Sequence, residues 1–193
     1  MIYWIGYLFW KTASWIFFPL TIKGLENIPP QGGCIIAGNH LSYLDPMIIG
    51  LCFRRRLSYV ARDSLFKNRI FRFFLHGVGA LPIRKSSSDV SAIKEILKRL
   101  KGGCPVVIFP EGTRLKERKG IHAGVGLIAV KSALPVVPAF IHGSDKVLGP
   151  GAKFPRRHSV TVIFGKSKTY TNQTPYPDIA RQIIQEVNRL ENF

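Results

Sequence analysis

Two periods run through this chain, and the switches between them outline its elements. Cys34 to Gly38 (CIIAG) is an unbroken apolar run that predicts a buried strand. Leu57 to Ala61, Ala80 to Arg84, Pro105 to Phe109 and Val136 to Ile141 predict further strands, and Ser159 to Phe164 alternates as a strand does. Helical spacing appears between them. Pro46 to Phe53 predicts a helix with Pro46 at its first position. Phe66 to His76, Gly124 to Ser132 and Ile179 to Leu190 predict three more. In Asp89 to Lys101 the stripe Val90, Ile93, Ile96, Leu97 and Leu100 marks one helical face, and Gly102-Gly103 stops it. Strands alternating with helices predict an α/β fold, a single domain with a mixed β-sheet flanked by helices.

The first twenty residues follow neither pattern. MIYWIGYLFWKTASWIFFPL carries one charge, Lys11. Twenty helical residues extend about 30 Å, just enough to span a bilayer. Tyr3, Tyr7, Lys11 and Ser14 instead fall on one helical stripe, with Trp, Phe, Leu and Ile around the rest and Pro19 at the end. That predicts an interfacial, membrane-associated helix over 1–20 ahead of a domain over 21–193. A buried core helix is the other reading.

Charge sharpens the picture. Of 193 residues, 28 are Lys or Arg and 11 are Asp or Glu, a net +17. Such an excess calls for a polyanionic partner: nucleic acid, an anionic membrane or a phosphorylated substrate. Residues 54–72 hold seven cations against Asp63 alone, and 153–168 hold Lys153, Arg156, Arg157, Lys166 and Lys168 with no acid. Nucleic-acid recognition is not expected, since no helix-turn-helix, zinc spacing or basic aromatic sheet is visible. Cys34, Cys52 and Cys104 form no CxxC pair, which argues against a zinc site or a disulfide framework and for a reducing compartment.

Four stretches could carry chemistry. Asn39-His40-Leu41-Ser42-Tyr43-Leu44-Asp45-Pro46 lies between a predicted strand and a predicted helix. Asp45 before Pro46 reads as a helix N-cap, with His40 incidental. Alternatively the carboxylate holds one ring nitrogen and leaves the other as a general base. On a single helix the two residues would point about 140° apart, so they meet only if His40 sits in the preceding turn. Phe109-Pro110-Glu111-Gly112-Thr113-Arg114 follows a buried strand; it reads either as a strand-ending turn or as a phosphate site with an Arg fork. Gly79 to Lys85 ends in two cations, and Leu134 to Phe140 is an apolar run with prolines.

In this order the four stretches resemble the four blocks of the glycerolipid acyltransferases, the family of 1-acylglycerol-3-phosphate acyltransferases. Asn39, His40 and Asp45 match the Asn-His-x-x-x-x-Asp block, Gly79 and Arg84 the second, residues 109–114 the Phe-Pro-Glu-Gly-Thr-Arg block, and Val137-Pro138 the fourth. The resemblance covers roughly 23–165. It implies transfer of an acyl group from acyl-CoA or acyl carrier protein to a lysophospholipid acceptor, with phosphatidic acid as product. His40 would be the base and Asp45 its orienting partner. Arg84 and Arg114 would bind phosphate, with Glu111, Gly112, Thr113 and Lys67 as further substrate-binding candidates. No metal or cofactor is expected, membrane lipids are the expected surroundings, and the cytoplasmic face of a membrane is the expected location. An acceptor such as lyso-ornithine lipid is the alternative within the enzyme class. A non-catalytic membrane-surface protein is the alternative outside it, and it leaves the four blocks without a role.

Overall fold

A computed structural model describes residues 2–83, 90–111 and 124–193. Seven strands form one sheet: β1 (Leu20–Lys23), β2 (Ile35–Gly38), β3 (Ser58–Arg62), β4 (Ala80–Ile83), β5 (Val106–Ile108), β6 (Val136–His142) and β7 (Val160–Phe164). Their order is β1-β7-β6-β2-β5-β3-β4. β2 to β6 run parallel; β7 runs against β6, and β1 runs with β7. The predicted mixed sheet is therefore present.

The central strands are apolar throughout because both faces are covered. Ile36, Val107 and Val137 enter one buried cluster with Ile48 and Ile49 of α2 (Asp45–Leu51). Ile35, Val106 and Val136 enter the opposite cluster with α4 (Val90–Lys101), α5 (Gly124–Ser132) and α7 (Tyr176–Arg189). On the first face α1 (Ile2–Phe17) packs on α2 and on α3 (Arg69–Gly77). The short α6 (Ser144–Leu148) follows β6.

The structure departs from the predicted pattern at several points. The run expected to be helical through Leu20 stops at Phe17, and Leu20 already belongs to β1. Neither β1 nor α6 has a sequence expectation. A 3-10 turn over Asp63–Phe66 precedes α3, so that helix starts later than predicted. In α4 the buried positions are Ala92, Ile96 and Leu100, and Val90 faces solvent. Along α1, Tyr3, Tyr7 and Ser14 of the polar stripe turn toward the domain and Lys11 turns out. The Tyr3 hydroxyl accepts from the Leu57 N–H (3.3 Å) and donates to the Arg55 carbonyl (3.4 Å). Trp4, Ile5, Leu8, Phe9, Trp15 and Ile16 remain exposed. Among the described residues, no helix is long and apolar enough to cross a membrane.

Because β2 to β6 are parallel, their carboxyl ends share one edge of the sheet, where loops can bring side chains from several strands together. α1 ends at that edge too. The carbonyls of Phe17 and Pro19 accept from His158 (3.0 Å) and Val160 (2.9 Å), and β7 pairs there with the last residues of β6.

Candidate active site

The site begins where β2 stops. Beyond Gly38, the side chain of Asn39 continues the ladder to β6. Its amide donates to the Ile141 carbonyl (3.1 Å), and its oxygen accepts from the Ile141 N–H (2.8 Å). The Asn39 backbone is thereby released from the strand and can turn, and His40 is delivered at the carboxyl edge.

Asp45 closes that turn. Its Oδ2 accepts three bonds: from Leu41 N–H (2.7 Å), from Ser42 N–H (2.8 Å) and from His40 Nδ1 (2.9 Å). Its Oδ1 is buried and has no hydrogen-bond partner among the described residues. Asp45 is the first residue of α2, and the N-cap is Leu44. Of the two roles open to it from sequence, the structure shows the His40 contact and not the cap. The two side chains meet because His40 lies in the turn before the helix. Asp45 is fully buried and His40 is 9% exposed, so little water competes for the pair.

Two neighbours fix the rest of the turn. Ser42 Oγ donates to the Leu148 carbonyl at the end of α6 (2.6 Å) and accepts from the Leu44 N–H (3.1 Å). The Ser42 hydroxyl is thus committed to pinning the loop. Phe109, just beyond β5, stacks on the His40 ring with centroids 4.3 Å apart and planes 19° apart. A bound carboxylate on one side and an aromatic face on the other leave the imidazole one orientation. Neither Asn39 nor Phe109 is a site candidate by residue type alone. Each opens one of the blocks singled out in the sequence, so the motifs located them without revealing their tasks.

Glu111 is half-buried, two residues after Phe109 and at the same edge. Lys67 is exposed, in the segment that leaves the carboxyl end of β3, and lines an open groove with Leu65 and Ile70. No contact joins Lys67 to the His40–Asp45 pair among the described residues. Arg84, Gly112, Thr113 and Arg114 lie outside the described residues. Arg84 directly follows β4, and Gly112 to Arg114 continue the chain beyond β5. No group of His, Cys, Asp and Glu suited to a metal ion occurs among the described residues. Burial pushes the Cys34 thiol up to about 11 and the Cys52 thiol up to about 12, which removes both from service as ready nucleophiles.

Comparison with known proteins places this constellation. The acyltransferase family model matches residues 19–142, which hold the His40–Asp45 turn and the Phe109 to Arg114 stretch. A chloroplastic 1-acyl-sn-glycerol-3-phosphate acyltransferase of Brassica napus is 30% identical over 184 residues, covering 92% of this chain and 53% of that one. The 1-acyl-sn-glycerol-3-phosphate acyltransferase of Bacillus subtilis is 29% identical over 174 residues, covering 86% of this chain and 85% of that one. This chain therefore spans about half the length of the plant relative and most of the bacterial one. The crystal structure of the 1-acyl-sn-glycerophosphate acyltransferase of Thermotoga maritima has the same fold, with a TM-score of 0.76 over 97% of this chain and 79% of that one at 24% identity.

Proposed function

Because this chain belongs to the acyltransferase family, we propose that it moves an acyl group from acyl-CoA or acyl carrier protein to the free hydroxyl of 1-acylglycerol-3-phosphate, yielding phosphatidic acid. The observation that carries this reading is the buried His40–Asp45 pair at 2.9 Å on the carboxyl edge of the sheet.

A glycerol hydroxyl is a weak nucleophile until its proton is taken. With Nδ1–H held by Asp45, Nε2 is the basic nitrogen. It accepts the hydroxyl proton as the oxygen attacks the thioester carbonyl. Asp45 stabilises the resulting imidazolium. When the tetrahedral intermediate collapses, the carbon–sulfur bond breaks and the imidazolium proton goes to the leaving thiolate. The thioester is already activated, so the step needs no nucleophile from the enzyme. Ser42 is engaged at both ends and Cys34 and Cys52 are buried thiols, which supports direct transfer. Arg84 and Arg114 would hold the acceptor phosphate, with Glu111, Gly112, Thr113 and Lys67 shaping the acceptor site. Residues 1–20 would rest in the membrane interface through the exposed face of α1, on the cytoplasmic side, where the acceptor lipid resides.

The test is turnover of lysophosphatidic acid by purified protein in detergent. His40→Ala is expected to lose activity by at least about a thousandfold while remaining folded. Asp45→Asn is expected to be severe but less complete, because the base remains and loses its orientation. Substantial activity in His40→Ala would overturn the mechanism. An acyl group retained on the denatured protein after exposure to labelled donor alone would overturn direct transfer.

A further inference from the structure

The apolar face of α1 is not the only part of the molecule with exposed large hydrophobic side chains beside cations. Ile70 (83% exposed) and Phe73 (70%) lie three residues apart on α3, so they share one side of it. Phe154 is 80% exposed in the loop between α6 and β7. In α1 itself the most exposed is Trp15, at 86%, in the last turn.

These positions converge. α3 starts after β3 leaves the carboxyl edge and returns to the amino edge at β4, so its first turns lie on the site's side. The loop holding Phe154 runs into β7 at the carboxyl edge and is bonded to the end of α1 through the His158 N–H and the Phe17 carbonyl, at 3.0 Å. The charges around them have one sign. From Ser64 to Gly77 the chain carries Lys67, Arg69 and Arg72 and no acid; from Gly149 to Ser159 it carries Lys153, Arg156 and Arg157 and no acid.

We infer that three segments, the last turn of α1, the first two turns of α3 and the loop 149–159, form a rim around the carboxyl edge that docks on an anionic bilayer. The α3 segment and the loop pair apolar side chains with adjacent cations, and the last turn of α1 adds Trp15 and Ile16, with Lys11 one turn before them. The apolar side chains enter the acyl boundary while the cations stay among lipid phosphates. An acidic protein would satisfy the cations, but it offers no fluid apolar phase for isolated Trp, Ile and Phe side chains on separate segments. Docking by the rim would hold His40's edge of the sheet against the leaflet. The inference rests on the acyltransfer reading only for its purpose; the contact itself is tested separately.

Full-length Phe73→Ser and Phe154→Ser proteins would be compared with wild type for partitioning onto vesicles of phosphatidylglycerol and phosphatidylcholine. Each is expected to partition roughly tenfold more weakly, with unchanged turnover of a short-chain lysophosphatidic acid kept below its micellar concentration. Hydrogen exchange of wild type is expected to slow at 70–77 and 152–158 when vesicles are added. Unchanged partitioning, or unchanged exchange in those segments, would overturn the rim. So would a shift of the variants from a dimer to a monomer in sedimentation, or loss of binding to an acidic carrier protein with vesicle binding intact. Wild type that docks through these segments yet transfers no acyl group would support the rim and count against the acyltransfer reading alone.

Discussion

At the scale of the residue, the sequence displayed the catalytic candidates and concealed what holds them. His40 and Asp45 stand out as residue types at a telling spacing. Nothing in the spacing says that Oδ2 gathers three donors, or that Asn39 substitutes for a strand residue in the β2–β6 ladder. The first depends on the path of the turn between β2 and α2, and the second on β6, a hundred residues away. Asn39→Ala would leave the buried N–H and carbonyl of Ile141 unpaired and is expected to cost about 2–4 kcal/mol in urea unfolding. Asn39→Asp keeps the acceptor but sets a second oxygen against the Ile141 carbonyl in a buried site, so it is expected to cost at least as much as Asn39→Ala. The cysteines give the pH dependence. Both shifted thiols titrate higher in the folded protein than in the unfolded chain, so their contribution to stability is complete below the ordinary thiol pKa near 9. It disappears as pH rises toward 11 and 12. The melting temperature is expected to fall across that alkaline window, and iodoacetamide at pH 8 should modify Cys34 and Cys52 only in denaturant.

At the scale of the element, the long apolar runs and the stripe of α7 predicted their elements within a few residues. The failures share a cause. β1 and α6 are too short to show a period, and Leu20-Thr21-Ile22-Lys23 reads as the tail of the preceding apolar segment. The orientation of α1 was equally hidden. The spacing puts Tyr3, Tyr7, Lys11 and Ser14 on one stripe without saying what it meets; Tyr3 finds backbone partners at Arg55 and Leu57, and the aromatic face is the one left outside. Inward and outward faces of this helix therefore have separable roles. Trp15→Ser is expected to weaken vesicle partitioning roughly tenfold with little change in melting temperature. Deleting 1–18 should reduce both, because it also removes Phe18 and Trp10 from the core. Equal melting temperatures for the truncated and intact proteins would show that α1 carries no packing.

At the scale of the whole molecule, a net charge of +17 predicts a polyanionic partner without saying where on the surface it lies; the fold supplies that by bringing basic segments distant in sequence to one edge. Strand order was not legible at all, since adjacency in a sheet is set by long-range packing. The reversed β1–β7 pair has a consequence in time. Leu20 to Lys23 can be seated only against Val160 to Ile163, so during synthesis α1 leaves the ribosome long before the strand that anchors its end exists. Until then α1 has α2 and α3 to pack on but no anchor for its last turn, and the nearest apolar surface can engage its aromatic face first. All three tryptophans of the protein lie in α1, so their fluorescence reports that docking alone. In refolding it is expected to lag behind the far-ultraviolet circular dichroism of the central sheet; simultaneous signals would mean that the two ends of the chain find each other from the outset.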